Sequence, residues 1–109
     1  MTSPVITNSL LRINGVTGEP PSPFERPNKE MDFFVLELGL NDDVVSWCAR
    51  TEEVLSKHTG LLRQMREAGA EATLFVGWAS SVHVLRLDSA FLSVLTEAEI
   101  SLECFHQAA

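Results

Sequence analysis

"MDFFVLELGL", residues 31–40, is apolar on both of its alternating faces. Phe34, Leu36, Leu38 and Leu40 form one row; Phe33, Val35 and Glu37 form the other. Alternation with period two predicts a strand. One row suits a core beneath helices. The other is too apolar for a face left entirely to water.

Upstream, "SLLRINGV" (9–16) predicts a second strand, with Leu11 and Ile13 on one side and Arg12 and Asn14 on the other. Asn14-Gly15 signals a turn or bulge. Between the two strands lies "TGEPPSPFERPNKE" (17–30), which holds four of the five prolines. Proline fixes φ and removes a backbone donor, so neither a regular helix nor a central strand fits here. The segment is either a proline-stiffened hairpin connection or a binding loop.

Downstream, "NDD" (41–43) supplies N-cap residues for a helix. Trp47, Val54, Leu61 and Ala68 recur every seven residues, with Cys48, Leu55, Leu62 and Met65 beside them. That stripe packs a helix onto a sheet. Thr59-Gly60 interrupts it, predicting two helices, 43–58 and 60–68, the second ended by Gly69. "EATLFVGWA" (71–79) reads as a strand with Ala72, Leu74, Val76 and Trp78 on one face and Thr73, Phe75 and Gly77 on the other. Ser80-Ser81 would connect it in a hairpin to "VHVLRL" (82–87). Asp88 or Ser89 caps a short helix over 90–98, and "ISLECFHQ" (100–107) closes the chain as a strand.

The predicted order is β-β-α(α)-β-β-α-β. It implies an α+β fold: a mainly antiparallel sheet of about five strands with helices packed on one face. At 109 residues, 1–109 is a single domain, with 17–30 as its proline-rich loop.

The stretches "ARTEEVLSKH", "LLRQMREAGAEATLFVGW" and "LDSAFLSVLTEAEISLECF" resemble the bacterial domain of unknown function 4279 family in order and texture, over about residues 44–107. The N-terminal third departs from that pattern: the short proline-rich loop stands where the family carries a helix and a Pro-Thr segment. The resemblance implies a bacterial α+β domain without an assigned activity. By analogy it implies an immunity role beside toxins.

The net charge of −7 opposes binding to nucleic acid, because phosphates repel an acidic surface. No apolar run approaches the ~18 residues of a membrane span. The N-terminus lacks a basic region followed by an apolar stretch, so the expected location is the cytoplasm. Cys48 and Cys104 are expected as buried free thiols.

Motifs for phosphate, dinucleotide, zinc-protease or serine-hydrolase chemistry are missing. His58 fits a helix end, where it can meet the last carbonyls. His83 and His106 lie on predicted strands, but Glu103 and His106 are three apart and face opposite ways, which disfavours a metal site. Cys104 and His106 share a face, yet a nucleophile pair needs an exposed, electropositive setting. The reading therefore assigns no catalytic residue, metal or cofactor.

Two hypotheses remain. The first is a non-catalytic protein-interaction module, immunity- or inhibitor-like in its concrete form, using the second sheet face through Phe33, Val35, Phe75 and Phe105. A protein partner or a second copy would sit there as a heterocomplex or homodimer. Phe24 of the proline loop folding back over that face is the competing arrangement. The second hypothesis is a small-ligand-binding or enzymatic domain with a pocket near Trp78, His83 and Arg86.

Overall fold

The computed structural model describes residues 4–16, 18–28, 30–79 and 85–107. Its elements are β1 (Val5–Asn14), β2 (Phe33–Asp43), α1 (Val44–Lys57), α2 (Thr59–Glu67), β3 (Glu71–Ala79), α3 (Ser89–Glu97) and β4 (Ile100–Gln107). The described strands form one sheet in the order β2-β1-β3-β4. β1 runs antiparallel to both β2 and β3, whereas β4 is parallel to β3. A parallel neighbour needs a crossover, and α3 lies in that connection. The α+β class, the mainly antiparallel sheet and the single helical layer follow the sequence expectation.

Several boundaries differ. β1 begins at Val5, four residues earlier than the alternation of 9–16 suggested. Thr7 masks its start, because it bulges where Ile6 pairs with Trp78 and Asn8 with Gly77. A second bulge sits in β2: Ser9 pairs with Gly39 and Leu10 with Glu37, leaving Leu38 extra. Gly39 adopts φ +134°, and a Cβ there would come within 2.7 Å of Arg50 Nη2. β3 is flanked by β1 and β4, and the hairpin expected between β3 and 82–87 falls largely outside the described residues. Residues 80–84 lie outside the described residues, as does the side chain of Leu40; Leu85–Leu87 belong to no described strand.

The core lies between the sheet and the helices. Leu11, Ile13, Leu74 and Val76 from the central strands are fully buried, as are Trp47 of α1 and Phe91 of α3. Trp47 packs on Phe91 with ring centroids 5.2 Å apart. Its Nε1–H donates to Ser9 Oγ at 2.7 Å, so the buried indole has its polar partner. Of the expected helical stripe, Trp47, Leu55 and Leu62 are buried and Cys48, Val54, Leu61 and Met65 pack against them; Thr51 joins the buried row, and Ala68 is exposed.

The helix break falls at His58, one residue before Thr59-Gly60. The His58 backbone N–H caps α1 by bonding the Val54 and Leu55 carbonyls, and its ring meets Phe24 edge-on. The capping expected of His58 is thus made by its backbone. Gly69 ends the second helix at φ +99°, as the sequence implied. Arg66 ties α2 to the last turn through the Ala98 carbonyl and the Glu99 carboxylate.

Asp43 caps α1, accepting from the Ser46 backbone N–H at 2.8 Å and from the Ser46 hydroxyl. The backbone bond is the main cause that lowers the Asp43 carboxyl below its ordinary 3.8; the hydroxyl and the charge of Arg50 add to it. The folded value lies below the unfolded one. The capping contribution is therefore complete above pH ~3.8 and is lost as pH falls through the lowered value. We expect Asp43→Asn, which caps without titrating, to remove this part of the acid transition. Far-UV circular dichroism from pH 5 to pH 2, comparing the two proteins, measures it.

Candidate functional site

Strand alternation places Leu10 and Arg12 of β1, Phe33, Val35 and Glu37 of β2, Phe75 of β3 and Phe105 of β4 on the side of the sheet away from the helices. These residues border a groove of about 510 Å3, whose rim includes Pro27. Phe75 and Phe105 stack across β3 and β4, with centroids 6.0 Å apart and planes within 5° of parallel. Phe105 remains 52% exposed. The Phe33, Val35, Phe75 and Phe105 set expected from the sequence is therefore assembled in one place. The helices do not cover it, because their buried residues all meet the opposite face.

The competing arrangement is corrected. Phe24 does not cover this groove. It is 4% exposed within the core, against His58 at the helix junction. The proline loop runs along the outer edge of β2, where Glu25 and Val35 exchange two backbone hydrogen bonds of 2.9 and 2.8 Å. Residues on either side of Glu25 then point to the helix side: Phe24 into the core and Arg26 over the Phe34 ring at 5.2 Å. Glu25 and Pro27 point to the groove side.

Polar groups sit at the ends of the groove. The Arg12 guanidinium lies 3.9 Å from the centre of the Phe33 ring, and its Nε donates to Asn14 Oδ1 at 2.8 Å. These two contacts fix the side chain. Among the described residues, neither Arg12 nor Glu37 joins an ion pair within this chain. Thr7 Oγ donates to Gln107 Oε1 at 2.6 Å near the far end. Leu10, Arg12 and Glu37 were not singled out as site residues from the sequence. The signal was available, since each lies opposite a core position in its own alternation.

No family model matches the chain, and no curated protein or solved structure does. What the site does must come from its own geometry.

The second expected site falls partly outside the described residues. Trp78 is buried at the helix side of β3, with its ring 4.5 Å from that of His106. Arg86 is exposed, and His83 lies outside the described residues. The groove is bordered by neither Trp78 nor Arg86. The cysteines also differ from expectation: Cys48 is half-buried and Cys104 exposed. β4 is the last described strand, and its side chains beyond Leu102 are exposed.

Burial, then the charges of Glu52 and Asp88, push the Cys48 thiol up to about 11. Partial burial raises that of Cys104 as well. Both thiols are therefore protonated at neutral pH, the opposite of an activated nucleophile. Among the described residues no cluster of His, Cys, Asp or Glu is arranged to hold a metal ion. No described helix is long and apolar enough to cross a membrane.

Proposed function

We propose that the protein is a non-catalytic protein-interaction module whose working surface is the open sheet face, occupied by a second copy of the chain. The observation that carries this reading is the one-sided placement of the helices. They leave Leu10, Val35, Phe75 and Phe105 contiguous on the uncovered face. An antiparallel sheet facing water alternates apolar-in with polar-out, whereas a contiguous apolar patch marks an interaction surface.

Four strands spaced ~4.8 Å apart and about eight residues long give a footprint of roughly 500 Å2 in plan, before ridges and groove are counted. That suits a small, concentration-dependent interface. The two free cysteines, one of them exposed, suit a reducing compartment, so we place this activity in the cytoplasm.

The test is sedimentation of the wild type and Phe105→Ser over a concentration series. The expected result is a wild-type dimer that weakens at least tenfold in the variant while urea stability stays within about 1 kcal/mol. A monomer at every concentration would overturn self-association, as would a dimer indifferent to Phe105→Ser. Binding of a basic protein by a strictly monomeric chain would equally replace the second copy with the immunity-like alternative, which the net charge of −7 suits.

A further inference from the structure

Four side chains of the open face stand at the corners of one quartet on β1 and β2. Leu10 pairs in register with Glu37, and Arg12 with Val35. One diagonal is therefore apolar, Leu10 to Val35. The other is charged, Arg12 to Glu37, with its ends about 7–8 Å apart. Long side chains can span that backbone separation, yet among the described residues Arg12 and Glu37 make no ion pair. Arg12 is held by Phe33 and Asn14 rather than by an acid.

We infer that the second copy docks face to face by a two-fold axis parallel to the sheet and midway between the two copies, passing over the Leu10–Val35 diagonal, with two reciprocal Arg12–Glu37 ion pairs across the interface. This inference rests on the open face being the interface. The geometry follows from the quartet. A half-turn about an axis parallel to the sheet, perpendicular to the charged diagonal and passing above its midpoint, exchanges the projected places of Arg12 and Glu37. Arg12 of each copy then lies over Glu37 of the other, within reach of a guanidinium–carboxylate pair once Arg12 swings from Phe33. The axis crosses near the apolar diagonal, so Leu10 and Val35 meet their own counterparts.

A two-fold interface must be self-complementary, and this quartet is. Other orientations set Arg12 against apolar neighbours or acid against acid, so the pair also selects one docking pose. The aromatic groove beside the quartet, with Phe75 and Phe105, supplies the apolar area.

Charge exchange tests this directly. Sedimentation equilibrium would compare the wild type, Arg12→Glu, Glu37→Arg, the double variant, and an equimolar mixture of the two single variants. Each copy carries −7, so the runs use 0.15 M salt, where charge repulsion is screened beyond about 8 Å. Urea titration of each variant checks that it folds.

Each single variant is expected to weaken self-association at least tenfold. The double variant should return to within about threefold of wild type. The mixture should form a heterodimer that neither component forms with itself. Folded single variants that dimerise like wild type, while Phe105→Ser does not, would overturn the quartet and leave the open face as the interface. A double variant or mixture that fails to recover would overturn it too. A wild type that stays monomeric would overturn both readings.

Discussion

Trp47→Ala should remove a large part of the protein's stability at 25 °C. Trp47 is 0% exposed, packs on Phe91, and donates its only polar group to Ser9. Truncating a buried tryptophan costs about 3–5 kcal/mol. A small domain has only about 5–15 kcal/mol in total.

The hydrogen bond can be separated from the packing. Trp47→Phe keeps much of the ring but strands the buried Ser9 hydroxyl, at about 1–3 kcal/mol. Adding Ser9→Ala should restore part of that loss, since no buried hydroxyl then lacks a partner. Urea unfolding of the three variants measures both effects. Equal destabilisation by Trp47→Phe with and without Ser9→Ala would count against the bond.

Phe24→Ala should cost about 3 kcal/mol and lower the melting temperature by on the order of 10–20 °C. The residue belongs to a proline-rich segment, yet it is as buried as the strand residues around it. Its loss should also release the loop, so proteolysis within 18–28 should become faster than cleavage elsewhere. Phe105→Ala removes the same ring from the open face and should cost about 1 kcal/mol or less. Calorimetry on the pair distinguishes the two environments. Comparable losses would mean that the loop is not anchored through Phe24.

Phe24 also shows where sequence reasoning stopped. Local periodicity reveals which residues share a face, and it placed Phe33, Val35, Phe75 and Phe105 together across three strands. It also narrowed the α1 cap to residues 41–43, of which Asp43 serves, and the α3 cap to Asp88 or Ser89, of which Asp88 accepts from the Ala90 N–H, and it located the glycine that ends α2. Each of these depends on neighbours within a few residues.

Phe24 has no such neighbours. Its burial is decided by a single bridge between Glu25 and Val35 and by a helix end more than thirty positions away, at His58. The place of β4 was hidden for a similar reason. Alternation shows that 100–107 is a strand, but the choice of β3 as its parallel partner depends on where the intervening chain crosses. The bulges at Thr7 and Leu38 were hidden too, because one extra residue breaks the very alternation used to read the strand.

The charged diagonal was half visible. Arg12 and Glu37 were each on the outward row of their strands, but their offset became apparent only with the register of β1 against β2.

The bridge at Val35 bears on how far assembly can go. Sheets lengthen when a foreign strand finds free amide groups along a border. Here the border of β2 meets the chain's own segment, in which Pro20, Pro21, Pro23 and Pro27 offer no N–H. Accretion on that side meets a rung that cannot be extended. An association through the broad face is closed by its own symmetry and ends at two. The prolines would thus favour a finite pair over a growing fibre.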